Sequence, residues 1–267
     1  MALRQSTTSR AFSLIELLVV LSVVLVLATL LFSALSTAKN KAQQIQCLNN
    51  LRQIEITRQL YSFDNNKIVA NGLIVDANNP SEIFWVQGHQ NNGISRDLTN
   101  SALLFNREFA LFADYLPQSK IYKCPSDRER FKLNGIEKTA EKVRTYGLNW
   151  HLGLVRPDFS VREQDILKKE EDIISPVNTL SFVDVNSQSV CWPIFGIFPE
   201  KFIFMYPSSI HNKGANLAFA DGRVERKKWT DENTNPATLL WHSHWEKTAN
   251  NKDFEWLISK RGVDDGF

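Results

Sequence analysis

From Met1 to Asn71 the chain contains neither glycine nor proline, and from Leu17 to Ala38 it contains no charged residue. Nothing in that stretch breaks a helix. An uncharged apolar helix of this length reaches roughly 30 Å, enough to cross a bilayer core. Met1–Arg10 is polar, with Arg4 and Arg10 and no acid. The positive-inside bias therefore places Met1 in the cytoplasm and everything after the span outside. Lys39, Lys41, Gln43 and Gln44 then turn the surface polar, but the helical period persists. Cys47, Leu51, Ile54 and Tyr61 fall on one face, a stripe interrupted by Arg58, and Asp64-Asn65-Asn66 reads as the end. The pattern predicts one helix of roughly fifty residues, half in lipid and half against a soluble domain. An anchor followed by a separate amphipathic helix fits the same pattern.

Glu16 is the anomaly, because an ionisable residue beside an apolar span is costly and points to a function. A carboxylate near the end of a span also reaches the interface by snorkelling. A secretion signal has an apolar core of about 7–15 residues followed by small residues at the cut. Ser36-Thr37-Ala38 offers such a cut, but the apolar run is too long and Glu16 stands at its start. A plain signal anchor accounts for the length and the basic flank, not for the acid.

The string Ala11-Phe12-Ser13-Leu14-Ile15-Glu16 resembles the cleavage and methylation site of type IV prepilins and type II secretion pseudopilins. The resemblance implies cleavage between Ala11 and Phe12 by a prepilin peptidase that also N-methylates Phe12. It implies that Glu16 pairs with the terminal amine of a neighbouring subunit, and a buried carboxylate is tolerable with an ammonium beside it. The family usually has glycine where Ala11 stands. Four further segments resemble a large pseudopilin-like group named for a histidine, nine intervening residues and Asp-Gly. They are Cys47–Gln53, Tyr122–Asp127, Tyr146–Asn149, and His211 through Asp221-Gly222. Arg223 stands where that group often has a second histidine.

The resemblance implies an α+β fold, a pilin-like long N-terminal helix packed on a small antiparallel sheet with loop insertions. Residues 1–11 would be the leader, 12–38 the transmembrane half of the helix, 39–64 its amphipathic soluble half and 65–267 an extracytoplasmic globular domain. The implied function is structural, a subunit of a type II secretion pseudopilus or type IV pilus-like fibre. Its partners would be the peptidase, other pilin or pseudopilin subunits and the inner-membrane assembly machinery. The implied location is the bacterial inner membrane, single-pass, with a periplasmic domain that joins the fibre on assembly. The rival is a membrane-anchored module that binds polysaccharide, for example, and never polymerises. An anchored hydrolase needs converging acids that the sequence does not show.

In the soluble part, seventeen phenylalanines and seven tryptophans supply a core, and a net charge of +2 gives no sign of a nucleic-acid partner. Ile68-Val69, Leu73-Ile74-Val75, Arg144–Asn149, Thr179–Val185 and Asn216–Arg226 read as strands, and Ala102–Leu116 reads as a helix ending at Pro117. Asp221-Gly222 suits a two-residue type I′ turn. That register pairs Phe219 with Val224 and puts both, with Leu217, against the stem helix.

No catalytic residue, cofactor or metal site is expected. His211 and Asp221 suggest a metal pair or a base, with Asp184 joining them if its strand is adjacent. Turn chemistry already explains Asp221, and a backbone bond for His211 is the reading favoured over a site. His242-Ser243-His244 lacks a third ligand at a telling spacing. Trp241, Trp245 and Trp256 read as packing for the C-terminal segment. Phosphate-loop, nucleophile-elbow and zinc-finger spacings are missing. Cys47 and Cys124 are candidates for a disulfide outside the cytoplasm, with Cys191 unpaired; two buried thiols are the other reading.

Overall fold

A computed structural model describes residues 13–72, 83–88, 97, 99–132, 139–153, 163–198, 202–234, 245–246 and 250–263. Ala11, Phe12, Leu73-Ile74-Val75, Trp241 and His242-Ser243-His244 lie outside the described residues.

Helix α1 runs unbroken over Leu14–Asn65, 52 residues, as the absence of breakers predicts. Contacts divide the chain within it, into one unit of residues 1–42 and a second of residues 43–267. In the first unit the large apolar side chains from Leu14 to Leu35 are exposed. The hydroxyls of Ser22, Thr29, Ser33 and Thr37 donate to carbonyls three or four residues back, at 2.7–3.1 Å. Their polarity is spent on the helix itself, which suits an apolar surrounding. By length and composition this helix can cross a membrane.

In the second unit the rest of α1 carries the expected stripe. Cys47, Leu51, Ile54 and Tyr61 are buried, and so is Arg58. The helix ends where Asn66 takes φ 52°, a left-handed stop that asparagine tolerates.

Beside it lies a seven-stranded sheet. In chain order its strands are β3 (Tyr146–Asn149), β4 (Leu180–Asp184), β5 (Ile194–Phe198), β6 (Phe202–Phe204), β7 (Gly214–Phe219), β8 (Val224–Lys228) and β9 (Trp245–Glu246). The spatial order is β8-β7-β4-β3-β5-β6-β9. A separate hairpin joins β1 (Arg130–Lys132) to β2 (Thr139–Glu141). The expectation of a small, purely antiparallel sheet needs correction, because β3 pairs β5 in parallel, Leu148 opposite Ile194. After β3 the chain pairs β4 on one side and then returns to lay β5 on the other. Gly147 permits this: a Cβ there would sit 2.6 Å from the Ile194 carbonyl oxygen.

One core packs the stem helix against the sheet through Leu51, Ile54, Tyr146, Leu148, Phe182 and Ala218, with Trp85 at 5.1 Å from the Phe182 ring. A second core, on the other face, joins Leu180, Val183, Phe195 and Leu217 to Phe254 and Leu257 of α3 (Lys252–Ile258). A shift in register between Leu180 and Phe182 sends these two residues of one strand to different cores. Asn251 caps α3, its Oδ1 accepting from the Asp253 and Phe254 amides at 3.1 and 3.0 Å.

Three further expectations are corrected. Ile68-Val69 is not a strand, and the Ile68 amide donates to Lys168 O at 2.7 Å outside any sheet. Ala102–Leu116 is not one helix. Helix α2 covers Ala102–Phe105 alone and stops at Asn106, which is extended (ψ 132°) and whose Oδ1 accepts the Glu108 amide at 3.0 Å. That Asx turn outcompetes the helix. The hairpin register also differs by one residue. Val224 pairs with Ala218, and Phe219 donates to Arg223 O at 2.9 Å across a three-residue loop. Gly222 takes φ 90° while Asp221 does not enter the left-handed region, so the turn is type I with a bulge rather than type I′. The one-residue slip exchanges the faces. Ala218, Ala220 and Val224 look toward the stem helix, and Leu217 and Phe219 fill the second core.

Candidate functional site

At the start of α1, Ser13 and Glu16 cap the helix reciprocally. The Ser13 amide donates to Glu16 Oε2 at 2.9 Å and the Glu16 amide to Ser13 Oγ at 3.2 Å. This capping box satisfies two amides that the helix leaves open. It gives Glu16 a local task that a search for an intermolecular partner alone overlooks. The Ser-x-x-Glu spacing in the sequence is its signal.

The second unit holds a buried polar cluster at the seam between α1 and the sheet. Cys47 comes from the packed face of α1, Cys124 from the loop before Pro125, Asp184 from the end of β4 and His211 from the turn into β7. Their ligating atoms all lie within 4.8 Å of one another. His211 Nε2 is 3.2 Å from Cys124 Sγ and 3.4 Å from Asp184 Oδ2, and Cys47 Sγ is 3.8 Å from the same carboxylate oxygen. None of the four residues is more than 4% exposed. Tyr146 Oη stands 3.2 Å from Cys47 Sγ.

Local geometry aims these groups. Asn212 and Lys213 both take positive φ (52° and 56°), closing a tight turn in which the His211 amide donates to Gly214 O at 3.3 Å. Left-handed backbone at a lysine is strained. Gly214 is required because a Cβ would lie 2.3 Å from Lys227 O. The Cys124 amide donates to Thr145 Oγ1 at 2.8 Å, and Asn50 Nδ2 to Lys123 O at 3.2 Å, which ties the Cys124 loop to the residue leading into β3 and to the helix.

Burial pushes the Asp184 carboxyl up to about 6. Burial alone would lower His211, but its hydrogen bonds to Asp184 and Cys124 overcome that and raise it to about 9. Burial also drives the Cys124 thiol and the Tyr146 phenol well up. Between those limits the cluster contains an aspartate–histidinium pair, formed where either charge alone would be costly.

The segments that looked separate in sequence therefore meet here. Cys47, Cys124, Tyr146 and His211 each come from a different one. Asp221 does not join them, since β7 separates it from His211. Its Oδ1 accepts the Arg223 amide at 3.0 Å, the turn role considered from sequence. Asp184 takes the place beside His211 instead. Cys47 and Cys124 are brought together as free thiols, while free Cys191 lies in the second core. From sequence, Cys47 with Cys124 and His211 with Asp184 arise only as separate pairs, because four ligands on four elements carry no joint spacing that unites them.

A second polar constellation fastens the stem. Arg58 donates to Glu55 at 2.7–3.1 Å, forms an ion pair with Glu170 and donates to Ala220 O at 3.3 Å. Gln59 Nε2 reaches the same carbonyl at 2.9 Å, so the Asp-Gly turn is tied to the helix.

Taken together, the chain is an α+β protein with one N-terminal helix of membrane-spanning length and apolarity. Compared with known families, characterised proteins and solved structures, it matches none.

Proposed function

We propose that this chain is a pilin-like structural subunit, processed before Phe12 and assembled into a fibre through its N-terminal helix. The observation that carries the reading is the division of labour within α1. One continuous helix is apolar and exposed from Leu14 to Leu35, yet from Cys47 to Tyr61 it packs into a core of the second unit. A plain anchor needs only the apolar half; a subunit whose helix joins a domain to a fibre uses both halves. A further stripe on α1, Ile56, Leu60 and Phe63, is exposed, with Phe63 at 86%. It offers a neighbouring subunit apolar surface beyond the lipid-length segment.

In this reading the peptidase removes residues 1–11 and methylates Phe12. Glu16 then faces the terminal amine of the adjacent subunit, and the domain is carried on the outer side of the inner membrane. No catalytic step is assigned to the protein. The test is the intact mass and N-terminal sequence of the mature protein, produced with its native secretion machinery. An N-methylated Phe12 start is expected. A start at Met1 would leave a non-polymerising anchored binding module, and one near Lys39 a secreted protein.

A further inference from the structure

We infer that Cys47, Cys124, Asp184 and His211 form a closed site for one divalent zinc-class metal ion, which staples the stem helix to the sheet. This inference is independent of fibre assembly, because all four residues belong to the unit of residues 43–267.

Geometry is the first support. Ligands held about 2.0–2.3 Å from a tetrahedral centre are separated by roughly 3.3–3.8 Å. Cys124–His211, His211–Asp184 and Cys47–Asp184 stand at 3.2, 3.4 and 3.8 Å. All four donor atoms fit inside 4.8 Å, so a small inward movement completes the set.

The donor chemistry is the second. Two sulfurs, one imidazole nitrogen and one carboxylate oxygen suit a borderline-soft ion in four-coordination. They do not suit calcium or magnesium, which take six or more oxygens, or a near-octahedral set of them. His211 can use the Nε2 that already faces the cluster.

The surroundings are the third. Each ligand is at most 4% exposed, which leaves no open position for substrate and makes the site structural. The Tyr146 hydroxyl is placed to donate to Cys47 Sγ, as an outer partner that stabilises a thiolate. Asp184 Oδ1 is buried without a hydrogen-bond partner, a deficit that a cation on the same carboxylate offsets. On binding, the two thiol protons and the Nε2 proton of the His211 imidazolium leave to solvent, and no redox step is involved. Because the ligands come from α1, the Cys124 loop, β4 and the turn into β7, the ion would fix four elements at one point.

The experiment uses the full chain purified in detergent without added chelator. Zinc is measured by mass spectrometry of the metal, and free thiols are counted after denaturation with chelator. One zinc per chain and three free thiols are expected. Cobalt(II) added to chelator-stripped protein should give a thiolate charge-transfer band and the intense visible bands of a tetrahedral centre. Cys47→Ser and His211→Ala should lose the stoichiometric metal, and Cys191→Ser should keep it. Asp184→Asn, checked for native circular dichroism, should bind zinc at least about tenfold more weakly while remaining folded. A Cys47–Cys124 disulfide without metal would overturn the inference. So would a reduced chain that takes up neither ion, or zinc retained by both Cys47→Ser and His211→Ala.

Discussion

Arg58 shows how a residue that interrupts an apolar pattern can still belong to the buried face. Its guanidinium is fully enclosed and shared between Glu55, Glu170 and the Ala220 carbonyl. Burial pushes Glu55 toward its neutral form and Arg58 pulls it back, so each needs the other. Arg58→Met should destabilise the protein by about 3–5 kcal/mol, because it strands a buried carboxylate. Replacing both, Glu55→Leu with Arg58→Met, should recover most of that loss; denaturant midpoints measure both. Lys142 is a second buried charge. Its ammonium donates to Val190 O at 2.9 Å and to Ser187 O, and lies 4.6 Å from the Phe131 ring centre, yet burial lowers its pKa to about 7. A base depressed in the folded state binds fewer protons than it does unfolded between pH 7 and about 10.5, so stability rises with pH across that window. The limit is about 5 kcal/mol at roughly 1.4 kcal/mol per unit. Lys142→Met should remove this part of the slope, which unfolding curves at pH 6.5 and 9.5 would show by difference from the parent.

At the scale of elements, β3, β4, β7 and β8 were legible in the sequence, whereas the apolar β5 and β6 were not, because a short apolar run has no period that marks it as a strand. Tyr146-Gly147-Leu148-Asn149 is an example of a short segment in which every residue has a separate task. Tyr146 meets Cys47, Gly147 admits the Ile194 carbonyl, and Leu148 fills the core. Asn149 Nδ2 donates to Leu180 O and Arg261 O, both at 2.8 Å. Gly147→Ala should cost about 1–3 kcal/mol by overpacking. It should also speed amide exchange at Leu148 and Trp150, which donate to Pro193 O and Phe195 O across the parallel pair. Unchanged exchange at both amides would mean that the parallel pair tolerates a Cβ there. The edge strand β8 is half-exposed and rich in charge, Glu225-Arg226-Lys227-Lys228, which guards it against pairing with another sheet.

At the scale of the molecule, α1 links two units of different character. The described residues of the first bury no large apolar side chain, and the second contains both cores. Under the fibre reading, Glu16→Ala should reduce incorporation into fibres strongly while leaving membrane insertion intact. The lost Ser13–Glu16 cap should cost only about 1 kcal/mol, too little to melt a helix of 52 residues. Fibre yield and membrane fractionation, measured in parallel, separate the two effects. Equal incorporation of the variant would reduce Glu16 to a cap.

The sequence by itself determined the long helix, its apolar and amphipathic halves, its end at Asn65 and four of the described strands, β3, β4, β7 and β8. Those features follow from local propensity and periodicity, which act over a few residues. Only the tertiary structure decided the parallel β3–β5 pair, the hairpin register and the meeting of Cys47, Cys124, Asp184 and His211. A parallel pair depends on where a distant strand returns, and a register depends on backbone angles that Asp-Gly leaves open between two turn types. The cluster depends on contacts as long as that between Cys47 and Asp184, 137 residues apart in sequence. No local rule links such residues, and the packing of the stem helix on the sheet does.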